Sequence, residues 1–158
     1  MTFHNEEKSS SESDLWRWVA VAFEKAKSLG LHKDPTDLGL DQKSKGFRKR
    51  LWWCLYCRDR LLSLALRRPT QIEEGISDVS LLTLDDFDTG LIDWKIQRFL
   101  DCDQFQNTRH QQKLATMFIE KTKLCKCLGR VLLARYQAAQ STPKSVDQSC
   151  LILVPRST

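Results

Sequence analysis

The segment LWWCLYCRDR, residues 51–60, most constrains what this chain can fold into. Trp52 and Trp53 are adjacent, so on a helix their rings point about 100° apart. Together with the flanking leucines they predict an inner helix that is buried on several sides. Asp59 and Arg60 fall inside this apolar run, where an unpaired charge would be costly to bury, so each is expected to meet an opposite charge or a ring of polar groups. The predicted neighbours of Asp59 are Arg48, Arg50 and His32.

Cys54 and Cys57 share one face of this predicted helix, which suits a metal site, a redox pair or simple burial. A structural zinc site needs four ligands. Cys125 and Cys127 diverge on another predicted helix, and no histidine lies at ligand spacing beside either pair. Redox CxxC motifs belong to a βαβ context that the sequence pattern lacks. We therefore predict buried thiols, and no metal or other cofactor in this chain.

Apolar residues recur at helical spacing along most of the chain, which predicts an all-α fold, a multi-helix bundle. Residues 1–13 are polar and serine-rich and are predicted to form a disordered lead-in. The first helix is predicted to begin after Ser13, with Gly30 just beyond its end. The second is predicted to run from about Ser44, as N-cap, to Leu66, where the sequence Arg-Arg-Pro stops it.

Two more helices are predicted, one across residues 91–102 and a longer one from about Asn107 to Ala139. The long helix is predicted to bury a wide apolar side, formed by Leu114, Met117, Phe118, Leu124, Leu128, Val131, Leu132 and Tyr136. The segment TQIEEGISDVSLLTLDDFD, residues 70–88, has no sustained period and is predicted to be an acidic loop with solvated carboxylates. Residues 141–158 are predicted to be a C-terminal tail.

Motifs of catalysis and of membrane insertion are missing from the sequence. It has no G-x-S-x-G, no phosphate-binding glycine loop and no H-E-x-x-H, and its histidines are scattered, so we predict that the chain is not an enzyme. Its longest apolar run is far shorter than the roughly 20 residues that cross a bilayer. Its first residues also lack the apolar core of a signal peptide. These features predict a cytosolic or nuclear protein with reduced thiols and no membrane partner.

Basic residues are concentrated in KSKGFRKR, at the predicted start of the second helix. The formal net charge is +5. A free cluster of this kind binds nucleic acid through phosphates without reading sequence, whereas basic clusters at helix starts are commonly solvated or paired. The candidate nonspecific phosphate contacts are Lys43, Lys45, Arg48, Lys49 and Arg50.

Three stretches, DLWRWVAVAFEKAKSLGLH, SLGLHKDP and FRKRLWWCLYCRDRLLSLALRRPTQI, together resemble the regulatory or middle homology region of fungal binuclear zinc cluster (Zn2Cys6) transcription factors. That signature is a helix ending in L-G-L-H-[RK]-D-P, a connector, then R-R-x-W-W-x-x-[YF]-x-x-D-R and a G-R-P turn. The resemblance is strongest over residues 14–88 and implies a regulatory domain at residues 14–140. Within the family, the sequence is similar to the branch of xylanolytic and cutinase gene activators. Arg67 replaces the family's glycine before Arg-Pro. The matching residues are Gly30, Leu31, His32, Asp34, Pro35, Arg48, Arg50, Trp52, Trp53, Tyr56, Asp59, Arg60, Arg68 and Pro69.

The resemblance implies a nuclear, all-α region that regulates transcription by RNA polymerase II. We interpret its signature as structural rather than as a set of ligand contacts, since buried ionic groups more often anchor a fold than mark a site. The family's DNA-binding module holds two zinc ions with a compact array of six cysteines and commonly reads CGG half-sites. The six cysteines here are spread between positions 54 and 150, so zinc and DNA reading are expected only in a segment absent from this chain.

Two expectations about the whole protein follow from the resemblance. Besides DNA in full-length relatives, the candidate partners are transcriptional co-regulators and a second copy of the chain. Both ends look cut, which predicts a fragment of a larger helical array. The alternative is a free-standing helical protein-interaction module without DNA-binding function.

Overall fold

The computed structural model describes residues 3–89 and 107–141, with side chains described from Asp14 onward and as far as Ala138. Three α-helices lie in these ranges: α1, Phe3–Ser28; α2, Gln42–Leu66; and α3, Thr108–Ser141. A single turn of 3-10 helix, Leu84–Asp86, lies between α2 and α3. No β-strand occurs in the described ranges, and the all-α fold predicted from the sequence is confirmed. The helix predicted across residues 91–102 lies outside them.

Helix α1 begins at Phe3, so the prediction of a disordered lead-in before a helix that begins after Ser13 is wrong for residues 3–13. Extending an existing helix adds one backbone hydrogen bond for each residue fixed, so polar residues can continue a helix that the apolar residues after Asp14 nucleate. The helix ends as predicted. Gly30 has a φ of 66°, and the backbone N–H of Leu31 donates to the carbonyl of Ala26 over 2.9 Å.

Helix α2 is capped by Asp41, whose side chain accepts from the backbone N–H of Ser44 over 3.3 Å. The prediction of Ser44 as N-cap is therefore wrong, because a carboxylate three residues earlier already satisfies that N–H. The predicted stop after Leu66 is confirmed. Arg67 takes the left-handed conformation with a φ of 53°, and the N–H of Arg68 bonds back to the carbonyl of Ser63.

The core forms around α2, whose Trp52, Trp53, Tyr56 and Cys57 are all buried. The other buried members of this cluster come from the flanking elements and are Phe23, Ile72, Val79, Leu82 and Cys125. The inner position predicted for the Trp-Trp segment is thus confirmed for these side chains. The buried-thiol prediction holds for Cys57 and Cys125 and is wrong for Cys54 and Cys127, which are exposed.

Helix α3 packs on the core through several small side chains and through part of the large apolar set that its pattern predicted, since Leu132 is buried and Phe118 contacts the core cluster. Ala115, Thr122, Cys125 and Gly129 are buried, together with Leu132. Bulky α2 aromatic rings fill the interface, so small residues on α3 allow the two helices to approach closely. Four of the residues predicted to be buried are exposed instead, namely Leu114, Met117, Leu124 and Val131.

None of the described helices is both long enough and apolar enough to cross a membrane.

Candidate functional site

Four side chains form what we call the buried ionic cluster: Tyr56, Asp59 and Arg60 of α2 and Glu74 of the loop that follows. Asp59 and Arg60 have no solvent exposure, and the Glu74 side chain is 28% exposed. The loop passes over α2 at this point, so the cluster joins an irregular segment to the central helix.

Asp59 is held by three partners within the cluster and the loop. It pairs with Arg60 and accepts the backbone N–H groups of Gln71 and Ile72 over 3.0 and 3.2 Å. These contacts turn the chain immediately after α2, because both N–H groups belong to residues just beyond the Arg-Pro stop. The predicted opposite charge is present, but the predicted neighbours are wrong, since neither Arg48, Arg50 nor His32 is among the partners of Asp59.

Glu74 completes the cluster from the loop side. One of its oxygens, Oε1, accepts from Arg60 over 2.8 Å and from the Tyr56 hydroxyl over 2.6 Å. The guanidinium carbon of Arg60 also lies 4.1 Å from the centre of the Tyr56 ring. Arg60 is therefore bracketed by two carboxylates and an aromatic face, which together replace the water that its charge loses on burial.

Burial and the neighbouring groups shift the pKa values of the cluster. Burial raises the pKa of Asp59 and that of Tyr56. Burial disfavours the charged form of Arg60, but its hydrogen bond to Glu74 and the nearby anionic groups outweigh this effect and raise its pKa. Burial likewise opposes the ionisation of Glu74, yet the hydrogen bonds from Tyr56 and Arg60 lower its pKa. At neutral pH Arg60 and Glu74 thus carry opposite charges, with Tyr56 a protonated donor.

Gly129 of α3 forms the third wall of the cluster. A Cβ placed there would lie 2.7 Å from Nε of Arg60 and 2.9 Å from the Tyr56 hydroxyl, and closer still to Oε1 of Glu74. Only a residue without a side chain lets α3 cover the ion pair. Gly129 therefore lets α3 lie directly against the cluster.

The arginines predicted to meet Asp59 bind backbone carbonyls elsewhere. Arg48 donates to the carbonyl of Leu29 over 2.7 Å, which ties α2 to the end of α1. Arg50 donates to the carbonyl of Asp86, beside the 3-10 turn. The His32 ring lies 6.4 Å from the Trp52 ring, centre to centre.

Asp34 of the L-H-K-D-P stretch links the first connector, the segment between α1 and α2, to the loop after α2. Its side chain accepts from the backbone N–H groups of Thr36 and Ser80 over 2.9 and 3.0 Å. Its own N–H donates to Asp78 over 2.7 Å. The hydrogen bonds from Thr36 and Ser80 lower the pKa of Asp34 below its ordinary value. Through its carboxylate and its own N–H, Asp34 thus holds together two segments that are 44 or more residues apart.

The remaining signature residues lie close to these contacts. Pro35 is fully buried. Leu31 packs against the core, and Gly30 ends α1. Arg68 lies over the Trp16 ring, and the carbonyl of Pro69 accepts from Ser63. The signature residues therefore join α1, α2 and the loop.

All five members of the basic cluster make an internal contact. Lys43 pairs with Asp88 over 2.9 Å, Lys45 donates to the carbonyl of Thr36 over 2.8 Å, and Lys49 pairs with the nearly buried Asp86 over 2.6 Å. Arg48 and Arg50 bind the carbonyls named above. Phosphate binding by this cluster stays a prediction. Of the two lysines that form ion pairs, Lys43 has the more accessible side chain, at 77% exposure against 11% for Lys49.

The acidic loop buries one carboxylate, that of Asp86, and engages two others in internal contacts, so the solvated surface predicted for it is wrong at Asp86. Asp86, at 4% exposure, accepts from Lys49 and from the N–H of Thr83, and Glu74 and Asp78 are engaged as described. Two sequence signals pointed to such partners: charged residues inside the apolar run of α2, and a glycine in the middle of a long helix, which costs about 1 kcal/mol and so needs a packing reason. Neither signal identifies the partner, because the position of Glu74 beside Arg60 and Gly129 depends on the path of the loop.

In the described residues, no three His, Cys, Asp or Glu side chains converge as metal ligands would. The charged groups of the buried ionic cluster are paired with one another, so the cluster links α2 to the loop.

Comparison with known proteins shows that the sequence of this chain is similar to those of fungal transcription factors. The family described as the fungal specific transcription factor domain matches residues 5–153. Cutinase transcription factor 1 beta of Fusarium vanettenii is 32% identical over 94% of this chain and 17% of its own length. Transcription factor cpaR of Aspergillus oryzae is 35% identical over 91% of this chain and 24% of its own length. The chain thus spans a quarter or less of the length of these relatives, and no solved structure gives a significant match to it.

Proposed function

The chain belongs to the fungal specific transcription factor domain family, and from this membership we propose that it acts as the regulatory region of a zinc cluster transcription factor in the nucleus. The family predicted from the sequence is thereby confirmed. The observation that carries the proposal is the match to named transcription factors over nearly the whole of this chain. In this role the region sets the output of a factor that regulates transcription by RNA polymerase II.

The buried ionic cluster supports this role by fixing the shape of the region rather than by binding a ligand. It holds α2, α3 and the intervening loop in one arrangement, and its charges are already paired. We therefore assign the signature residues a structural role and the chain no catalytic one. The outer helix faces are left for partners such as transcriptional co-regulators.

Zinc and specific DNA contacts belong, in this proposal, to a separate cysteine module. Purified chain is expected to hold less than one equivalent of zinc by elemental analysis, because in the described part of the chain no three potential ligands converge, whereas a structural zinc site needs four. Any DNA binding is expected to be weak, steeply dependent on salt and blind to sequence. A clear preference for a duplex with paired CGG half-sites over a scrambled duplex, at physiological salt, would contradict this division of labour.

Regulatory output can be tested with the full 158-residue chain fused to a heterologous DNA-binding module and activator in a fungal reporter strain. We expect reporter expression to differ from that of the module and activator alone. The matched control carries an unrelated helical domain of similar length. Equal expression from both fusions would show that the chain exerts no regulation of its own.

A second candidate function is that of a helical module that binds another protein without any link to DNA. One observation favours it, the exposed apolar side of α3.

A further inference from the structure

Helix α3 presents a row of large apolar side chains to solvent. Leu114, Met117, Leu124 and Val131 are 47%, 59%, 68% and 63% exposed. The helix packs on α2 through its other side, where Ala115, Thr122, Cys125, Gly129 and Leu132 are buried. The exposed row therefore belongs to a distinct surface, which we call the outer α3 face.

The spacing of this row matches that of a helix-pairing seam. Residues 114, 117, 121, 124, 128, 131 and 135 follow one another at alternating steps of three and four, and five of them are apolar. This repeat keeps one line of side chains facing a partner helix over the full length of a contact. The two polar positions in the seam are Lys121 and Arg135, both exposed.

Helix α3 as a whole carries a strong excess of positive charge. Helix α3 carries seven lysines and arginines against a single acid, Glu120. Glu120 pairs with Lys123 over 2.7 Å, and Lys126 lies over the Trp53 ring. Among the described residues, no ion pair forms with Lys113, Lys121, Arg130 or Arg135. An apolar seam is thus lined by cations that have no anion in the described chain.

These cations decide which helix fits the seam. A second copy of α3 would bring lysine and arginine against lysine and arginine, and like charges across a helix pair are destabilising. A helix with apolar residues at the same spacing and with glutamate or aspartate along its edges would instead supply the missing anions. We propose that the outer α3 face binds an acidic amphipathic helix of another protein.

This inference adds a partner of stated chemistry to the proposed regulatory role and draws on α3 alone. The region's effect on a reporter could persist if the inference failed. The two are therefore separable by experiment.

The probe is a synthetic fluorescent peptide of about 21 residues, three heptads, with leucines at the seam positions and glutamates beside them. Its anisotropy is measured against the full 158-residue chain at physiological salt. We expect saturable binding, and no binding of a second peptide in which lysine replaces every glutamate. A chain with Lys121→Glu and Arg135→Glu should bind the acidic peptide about tenfold more weakly or worse. Leu124→Ser should weaken binding through loss of the apolar contact.

The matched control is a chain with Lys25→Glu and Arg58→Glu. This pair has the same change in charge and borders a different apolar groove, between α1 and α2, which is lined by Leu29, Leu51 and Cys54 among others. We expect this variant to bind as the parent chain does. All substituted side chains are exposed, and thermal unfolding verifies that each variant folds.

Three results would overturn the proposal. One is the absence of binding by the acidic peptide, which would mean that the face is covered in the protein as it exists. Another is equal loss of affinity in the two double variants, which would indicate attraction by net charge alone. The last is a chain that elutes as a dimer and that Leu124→Ser converts to a monomer, which would identify a second copy as the occupant.

Discussion

Asp59 is a single residue on which both the helix and the loop depend. Replacing it by alanine leaves the N–H groups of Gln71 and Ile72 without their acceptor and Arg60 with one carboxylate fewer. We expect Asp59→Ala to lower the free energy of unfolding by about 3 kcal/mol. The control is Asp37→Ala, at an exposed aspartate, which should change it by less than about 0.5 kcal/mol. Urea denaturation of both variants makes the comparison, and equal midpoints would place Asp59 outside the core.

Arg67 adopts a backbone conformation that favours glycine. A side chain at a φ of 53° costs about 1 kcal/mol or more, and the family's glycine would avoid this cost. We expect Arg67→Gly to raise the free energy of unfolding by about 1 kcal/mol over Arg67→Ala, because both lose the same exposed side chain and only glycine relieves the strain. Thermal unfolding measures the difference. A less stable glycine variant would contradict this account.

Glu74 should contribute to the acid sensitivity of the fold. Its pKa is lower in the folded chain than in the unfolded chain, so its stabilising effect is complete above the unfolded pKa and is lost as the pH falls through the folded pKa. Between about pH 5 and pH 3, the unfolding free energy of Glu74→Gln should therefore fall less steeply than that of the parent chain. The adjacent exposed Glu73 offers the matched variant Glu73→Gln, which should keep the parent's slope. Parallel curves for all three proteins would refute the role given to Glu74.

At the scale of single residues, the sequence predicts that the charges in α2 have partners but does not identify all of those partners. Charges inside an apolar helix require partners, and Asp59 does have one in Arg60. The partners from outside the helix, Glu74 and two backbone N–H groups, lie in a segment without periodicity, so no pattern in the sequence aligns them with α2.

Among the helices, two glycines set how closely other elements approach. Gly46 of α2 lies under the 3-10 turn, and a Cβ there would be 2.6 Å from the carbonyl oxygen of Asp86. Gly129 of α3 faces the buried ionic cluster in the same manner. Both glycines sit inside helices, where alanine is ordinarily the better residue by about 1 kcal/mol.

The sign of a glycine-to-alanine change therefore tests these contacts. Propensity alone makes Gly46→Ala and Gly129→Ala stabilising, whereas the close approaches make both destabilising, by about 1 to 3 kcal/mol. Gly39→Ala is the control, since a Cβ there meets nothing within 4 Å. Chemical denaturation decides the sign, and a gain in stability at Gly129 would show that α3 does not rest on the cluster.

At this level the bounds of α2 and α3 were predictable, whereas the start of α1 and the helix faces were not. Strong periodicity and an Arg-Pro stop located α2 and α3 to within a few residues. The buried side of α3 was predicted only in part: Leu132 is buried as expected, but Leu114, Met117, Leu124 and Val131 are exposed. Ala115, Thr122 and Gly129 are buried, and no apolar pattern marks them. Hydrophobicity predicts which residues are buried only where the interface has room for large side chains. Here the aromatic rings of α2 occupy that room, so small residues of α3 are buried instead.

Over the whole molecule, cysteine reactivity reports whether the helices remain packed. Burial and the neighbouring Cys125 raise the pKa of Cys57 to about 12, whereas Cys54 and Cys127 are exposed. We expect iodoacetamide to modify Cys54 and Cys127 rapidly in the folded chain, and Cys57 and Cys125 only when it unfolds. Mass spectrometry of the digested protein, read with and without urea, identifies the modified positions. Rapid native labelling of Cys125 would show that α3 separates from α2 without unfolding.

The family could be predicted from the sequence because its signature residues are the ones that assemble the core. Trp52, Trp53, Asp59 and Arg60 are all buried, so their pattern in this sequence reflects constraints of folding. The outer α3 face obeys no such constraint, which is why the pattern of the core does not reveal it.

The carboxylate contacts of the loop after α2 also determine where the polypeptide can be interrupted. The backbone of residues 71, 72, 80 and 83 is fastened by Asp59, Asp34 and Asp86, although this stretch has no regular secondary structure. A protease site or inserted epitope there would sever the ties between both connectors and the central helix. Residues 38–40, exposed and outside the helices, offer a gentler place for a tag or new chain termini. For a protein engineer, the irregular loop should therefore be left intact, and the segment between α1 and α2 is the better site for an insertion.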